Sequence, residues 1–338
     1  MTKKVLLVGV GGVGAIAALG LEWRKQSEVT AVVRSDFDKA IKEGYHIKSV
    51  DYGEIKNFKP SHIVKSVKEA VNYGPFEFIV VCTKNTPDIV LIEEVIQDAV
   101  TDETAIVLLQ NGIGIERPII KRFPGTIVLS AVSIIGSSNH NCEINHDYID
   151  KVSVGYFDNN VTSKEEQERV AKEFVELYST ENNDITFDPN VKYTRWKKLV
   201  YNGTLNPICA LTGVDVARLE MFGGTNALVR QAMYEILSVA RADGVELDKD
   251  ICEIMIRSDD PLWYSPSMLI DMRKGNYTEV QVLCGNVVKI AEENGVPIPI
   301  LKVIYDLHLV IQKSKMEKNG LIELPKERFI PDKEHPPL

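Results

Sequence analysis

A short apolar run, Lys3–Val10 (KKVLLVGV), passes directly into glycines at 9, 11 and 14 and then into the helical stretch Ala15–Arg24. Parallel strands buried on both faces read as continuous apolar runs of this kind. In GxGxxG spacing the first glycine permits a tight turn and the second lets the backbone approach a pyrophosphate. The third lets the helix pack on the strand, and the helix N-terminus turns free N–H groups and positive dipole toward the phosphates. A second strand, Val29–Val33, follows at the expected interval. The combination predicts a dinucleotide-binding turn built from Gly9, Gly11, Gly12, Val13 and Gly14. Lys3-Lys4 ahead of the uncharged run Val5–Leu21 imitates a targeting segment, but five glycines interrupt that run. Strand, turn and helix account for it better than a signal peptide or a membrane span.

The chain has 338 residues, which predicts two domains. A net charge of −9 argues against a general nucleic-acid surface. The five cysteines are odd in number and scattered, with no CxxC and no Cys/His spacing of a zinc site. They read as reduced thiols of a cytoplasmic protein, without metal.

Arg34 ends the second strand. An NAD-preferring fold usually carries Asp or Glu there, whereas arginine suits a 2′-phosphate, so the cofactor expected is NADP(H). Weak alternation over Gly44–Lys65 predicts a small antiparallel excursion. Phe76–Cys82 is a third buried strand, and Lys84 just beyond it is placed to reach a cofactor phosphate. A helix is expected over Pro87–Val100. Thr104–Leu109 is the next strand, with Gln110-Asn111-Gly112 at its end. That tripeptide suits a plain turn, and equally gives Asn111 a polar contact beside a nicotinamide. Thr126–Ser133, Cys142–Tyr148 and Lys151–Phe157 read as further strands, and Ser163–Tyr178 as an amphipathic helix. His140 and His146 have no partner at metal spacing.

From about residue 190 the pattern turns helical, with one continuous helix expected over Lys192–Leu211. The expected layout is a nucleotide-binding domain at 1–189, an all-α substrate domain at 190–318 and an extended tail at 319–338. The substrate is expected in the cleft between the domains. On the Lys192–Leu211 helix, Lys198, Asn202 and Asn206 stand at i, i+4 and i+8, within about 80° of one face. A lone ammonium beside two amides suits a cleft that binds a polar ligand and gives it a proton.

GVGGVG, Arg34, Lys84 after VVCT, QNGIG at 110–114, WKKLVYNGTLNP at 196–207 and SPSMLIDMRKGNYTEV at 265–280 occur in this order. Together they resemble the ketopantoate reductase (2-dehydropantoate 2-reductase) family over residues 3–315. The resemblance implies an α/β doubly wound domain of Rossmann type. A mostly α-helical domain follows it, similar to the C-terminal domain of 6-phosphogluconate dehydrogenase. It also implies NADPH-dependent reduction of ketopantoate to (R)-pantoate, on the route to pantothenate and coenzyme A. Lys198 matches the general acid, and Glu279 the acid that helps fix it and the substrate. Asn202 and Asn206 match the asparagines lining the pocket, and Ser267 the contact to the substrate carboxylate. Arg34 and Lys84 match a basic pair around the 2′-phosphate, and Asn111 the asparagine near the nicotinamide ribose. Two departures bear on substrate shape. Val214-Asp215-Val216 stands where the family often has Asn-Gly, and Tyr264 stands where it has an asparagine. The alternatives are a reductase or dehydrogenase of another branched 2-keto or 2-hydroxy acid, and a non-catalytic NADP-binding regulator. A homodimer is among the assemblies left open.

Overall fold

The computed structural model describes residues 2–328. Ten strands form one sheet: β1 (Lys3–Val8), β2 (Ser27–Val32), β3 (Tyr45–Ser49), β4 (Gly53–Phe58), β5 (His62–Val64), β6 (Phe78–Val81), β7 (Ala105–Leu108), β8 (Ile127–His140), β9 (Glu143–Phe157) and β10 (Asp184–Phe187). The order is β4-β3-β9-β8-β7-β6-β1-β2-β5, with β10 beside β9. The run β5-β2-β1-β6-β7-β8 is parallel throughout. This is the doubly wound order, and it reverses at β1/β6, where such sheets hold their ligands.

The expected excursion is present as the antiparallel hairpin β3/β4, attached through β3 to the far strand β9. The three strands expected between 126 and 157 are two. β8 and β9 pair antiparallel over almost their whole length, closing on a two-residue turn. In that turn Asn141 and Cys142 both lie at positive φ, 53° and 66°. Those angles match the right-handed twist of a hairpin, so the ladder continues where the sequence suggests a break. The helix expected over Pro87–Val100 is confined to Ile92–Ile96 with a 3₁₀ turn to Ala99. Residues 86–90 instead turn tightly on the Thr86 carbonyl.

The sheet's two faces carry two cores. On one, the helices Gly12–Trp23 and Lys164–Tyr178 cover β-strand residues such as Val5, Leu7 and Phe78. Ser163 caps the second helix by accepting from the Glu166 N–H at 3.2 Å. On the other face Leu6, Ile79 and Ile106 merge into one apolar cluster with Trp196, Leu199 and the rest of the helical half.

The single helix expected over Lys192–Leu211 is two, Val191–Asn202 and Leu205–Thr212. Pro207 is the cause. In a continuous helix its ring would strike the carbonyl of Gly203, four residues back. Gly203 also sits so close to Ile236 and to the Leu283 carbonyl that a Cβ would meet them at 3.2 and 3.3 Å. Trp196, Leu199 and Val200 form the first helix's buried stripe, and each buried side chain of this size contributes about 2 kcal/mol. The long helix Pro299–Lys318 closes the helical half. Residues 321–328 follow as exposed chain, and the part of the expected tail from 329 onward lies outside the described residues. Among the described residues no helix is long and apolar enough to cross a membrane.

Candidate active site

At the end of β1 the glycine turn takes the shape its spacing requires. Gly9 lies at φ +96°, pressed against Thr83. A Cβ on Gly14 would overlap the Gly9 carbonyl, and one on Gly12 would overlap the backbone of Ser137 in β8. Gly11 is different: no atom stands within 4 Å of where its Cβ would be. This open space lies at the first turn of the Gly12–Trp23 helix, whose leading N–H groups, Val13's among them, have no intrahelical partner. Such a cradle fits a dinucleotide pyrophosphate. The far end of the β8–β9 hairpin pins this corner. Asn139 donates to the Val10 carbonyl (3.1 Å) and to Asp36 Oδ2 (2.9 Å). Arg34, two residues before Asp36, is exposed and makes no side-chain hydrogen bond or ion pair among the described residues.

A second group assembles at the ends of β6 and β7, against the helical half. Lys198 donates to Asn111 Oδ1 at 2.8 Å and to the Ser133 carbonyl of β8. Asn111 Nδ2 donates to Glu279 Oε2 at 3.1 Å, and Glu279 Oε1 accepts the Asn85 N–H at 3.0 Å. Glu279 is 4% exposed and reaches Lys198 through Asn111. Lys84 Nζ completes the chain, 2.7 Å from Asp271 and 3.6 Å from Glu279. Asn202 lines the same narrow cavity as Lys198 and Asn111, which has room for about one water molecule. Asn206, buried beyond the helix break, donates to Ser267 Oγ at 3.4 Å. Ser267 opens the Ser267–Arg273 helix that also carries Asp271.

Burial pushes the Lys198 amine down to about 8. Arg195 adds to that push, Glu279 opposes it and Lys84 reinforces it. For Lys84 burial acts in the same direction, but Glu279 and Asp271 outweigh it and hold the amine above the ordinary lysine value. The sequence expects Lys84 and Arg34 as a basic pair around a 2′-phosphate. β1 stands between their strands, and Lys84 is bound to two carboxylates of the helical half. Of the sequence-predicted residues, Lys198, Asn111, Glu279, Lys84 and Asn202 come together, and Asn206 with Ser267 forms a neighbouring pair. The glycine turn and Arg34 form a separate corner.

Asp271, Asn85, Gln110 and Arg195 belong to the site and are not among the sequence candidates. Asp271 lies inside SPSMLIDMRKG, and Arg195 stands at i−3 from Lys198, a spacing that brings helix neighbours together. The departure at 214–216 has a local reason. Asp215 caps the Val216–Met221 helix, accepting the Arg218 N–H at 2.8 Å.

The profile of ketopantoate reductase PanE/ApbA matches residues 5–159, and that of the PanE/ApbA C-terminal region matches 190–312. An uncharacterised protein of Saccharomyces cerevisiae is 36% identical, over 95% of this chain and 97% of that one. The crystal structure of a 2-dehydropantoate 2-reductase from Methylococcus capsulatus superposes with a TM-score of 0.78 at 28% identity, covering 92% of this chain and 97% of that one. A D-mandelate dehydrogenase solved with NADH and anilino(oxo)acetate shares the fold, with a TM-score of 0.79 at 21% identity over 92% of this chain and 99% of that one. Sequence, sheet order and these likenesses agree: the chain belongs to the ketopantoate reductase family of pyridine-nucleotide oxidoreductases.

Proposed function

We propose that the protein reduces ketopantoate to (R)-pantoate with NADPH, a step toward pantothenate and coenzyme A. The observation that carries this reading is the hydrogen-bonded chain from Lys198 through Asn111 to Glu279, at the carboxyl ends of the parallel strands. The nicotinamide, when bound, supplies hydride to the ketone carbon. Negative charge then grows on the carbonyl oxygen, and the Lys198 ammonium stabilises it and donates the proton. Asn111 holds the amine by its side-chain oxygen and is itself held by Glu279. Asn202 and the Asn206–Ser267 pair supply polar groups for the acid's carboxylate and hydroxyl. Gly9, Gly11, Gly12, Val13 and Gly14 would hold the pyrophosphate, and Arg34 the 2′-phosphate. Purified protein mixed with NADPH and a panel of 2-keto acids tests the proposal through loss of nicotinamide absorbance. Ketopantoate as the fastest substrate supports it, and no turnover of any keto acid rejects it.

The pH dependence follows from the amine. With its pKa near 8, reduction holds to about pH 8 and falls above it as the acid loses its proton. Oxidation of the hydroxy acid, which needs the neutral amine, runs the other way. A kcat profile for reduction that stays flat to pH 10 would exclude Lys198 as the proton donor.

For Arg34→Asp, NADPH binding is expected to weaken by about 100-fold while NADH binding changes little. Fluorescence titration with the two nucleotides measures this, and an unchanged preference would remove the case for NADP.

One observation favours a second reading, reduction of a different 2-keto acid. Tyr264 stands three residues before Ser267, and Tyr201, three after Lys198, donates to Asp259 in the same segment. An aromatic side chain at a position where the resemblance expects a substrate-binding asparagine changes which acyl group is accepted, so the panel includes the larger phenylglyoxylate.

A further inference from the structure

Arg195 is 4% exposed and stands one turn before Lys198 on the same helix. Its Nε donates to Ser130 Oγ at 2.9 Å. One terminal nitrogen donates to the carbonyls of both Gln110 and Gly112, each at 2.9 Å. These two carbonyls flank Asn111. The second terminal nitrogen is buried without a partner. The Phe157 ring lies 5.5 Å from the guanidinium, and Glu116 is the one carboxylate whose charge acts on it. No carboxylate of the described residues forms an ion pair with Arg195, so a full cation is held in the wall of the cavity that Lys198 and Asn202 line.

A buried arginine that spends its donors on two backbone carbonyls and a serine hydroxyl, all neutral, is costly as a device for stability alone. The turn it holds is the one that presents Asn111. Gly112 cannot be relieved by rebuilding, because it lies at φ +103° with Val282 against it. We propose that Arg195 is a positioning residue for the Lys198 amine. It clamps the Gln110–Gly112 turn to the helix that carries the lysine, so fixing where Asn111 meets the amine, and it faces that amine with a second cation. This rests on the reading of Lys198 as the proton donor. The other groups facing the amine are the Ser133 carbonyl, Asn111, Glu279 and Lys84, the last paired with Asp271. Of these charges, Lys84 acts in the same direction as Arg195 and Glu279 against it.

The test uses the full chain with Arg195→Met and Arg195→Lys. Lys198 is titrated by acetic anhydride labelling across pH, read by peptide mass spectrometry, and the kcat profile is taken with the keto acid that wild type turns over fastest. In Arg195→Met the labelling midpoint and the alkaline limb of kcat are expected to move up by about one pH unit. The kcat at pH 7 is expected to fall at least tenfold, an order typical of a mispositioned catalytic group. Arg195→Lys is expected to return the limb toward its wild-type place without restoring kcat, since an ammonium cannot reproduce the three-way fork. If Arg195→Met does not fold, Arg195→Gln, which also removes the charge, carries the same expectation. A folded neutral variant whose Lys198 midpoint stays in place overturns the proposal. A wild type inactive on every keto acid rejects the proposed function instead, and the labelling still decides the role of Arg195.

Discussion

Lys198→Ala is expected to lower kcat by about 1000-fold while NADPH still binds. The reason is the isolation of the amine. It is the group that Asn111 and the Ser133 carbonyl hold at the cavity, and the neighbouring cation, Lys84, is tied to Asp271 and Glu279. Lys84 cannot take over without breaking one of those pairs, and the Arg195 guanidinium in the cavity wall keeps its proton. Removing the side chain leaves the glycine turn and Arg34 untouched, so nucleotide affinity measured by fluorescence should stay within about threefold of wild type. Stopped-flow hydride transfer and steady-state kcat should fall together, since the lost interaction is one that strengthens in the transition state. A variant with wild-type kcat would assign the proton to another group.

Gly14→Val is expected to be the most damaging change in the nucleotide domain, with about 3 kcal/mol of stability lost and NADPH binding abolished. Its Cβ would overlap the Gly9 carbonyl and stand 3.3 Å from the Cys82 Cβ. Gly9 cannot retreat, because it is held at positive φ against Thr83. Gly11→Ala makes the contrasting case. Nothing lies within 4 Å of the added Cβ, so the protein should unfold at the wild-type urea concentration yet lose nucleotide affinity where the phosphates would approach. Urea midpoints and NADPH titrations separate the two. Equal behaviour of both variants in the two assays would mean that the turn does not cradle a pyrophosphate.

What the sequence made legible were features set by local covalent geometry. β1, the glycine turn and the following helix appear where the apolar run and the GxGxxG spacing put them, as do the short parallel strands ending at Val81 and Leu108. Features decided by distant parts of the chain were not. The β8–β9 ladder runs through a stretch whose half-exposed residues alternate only weakly, and its register comes from pairing. The break at Gly203 was readable in principle from Pro207, but the asparagine spacing favoured one unbroken helix. π-helical turns at Thr225–Val229 and Gln281–Gly285 leave no periodic trace in the sequence. In the site, lysine, asparagine and glutamate stood inside distinctive motifs. Asp271 and Arg195 gain their meaning only when β6, β7 and the helices meet.

The apolar cluster that runs unbroken from Leu6 and Ile106 into Trp196 and Leu199 has a mechanical consequence. A hinge needs a seam, and here the oily interior passes straight across the place where a seam would lie. Cutting the connection between β10 and the Val191–Asn202 helix would leave one fragment with a bare greasy sheet and the other with an open tryptophan. The Leu262–Tyr264 stretch lies outside that shared interior, its side chains standing in solvent, where local rearrangement costs few buried contacts.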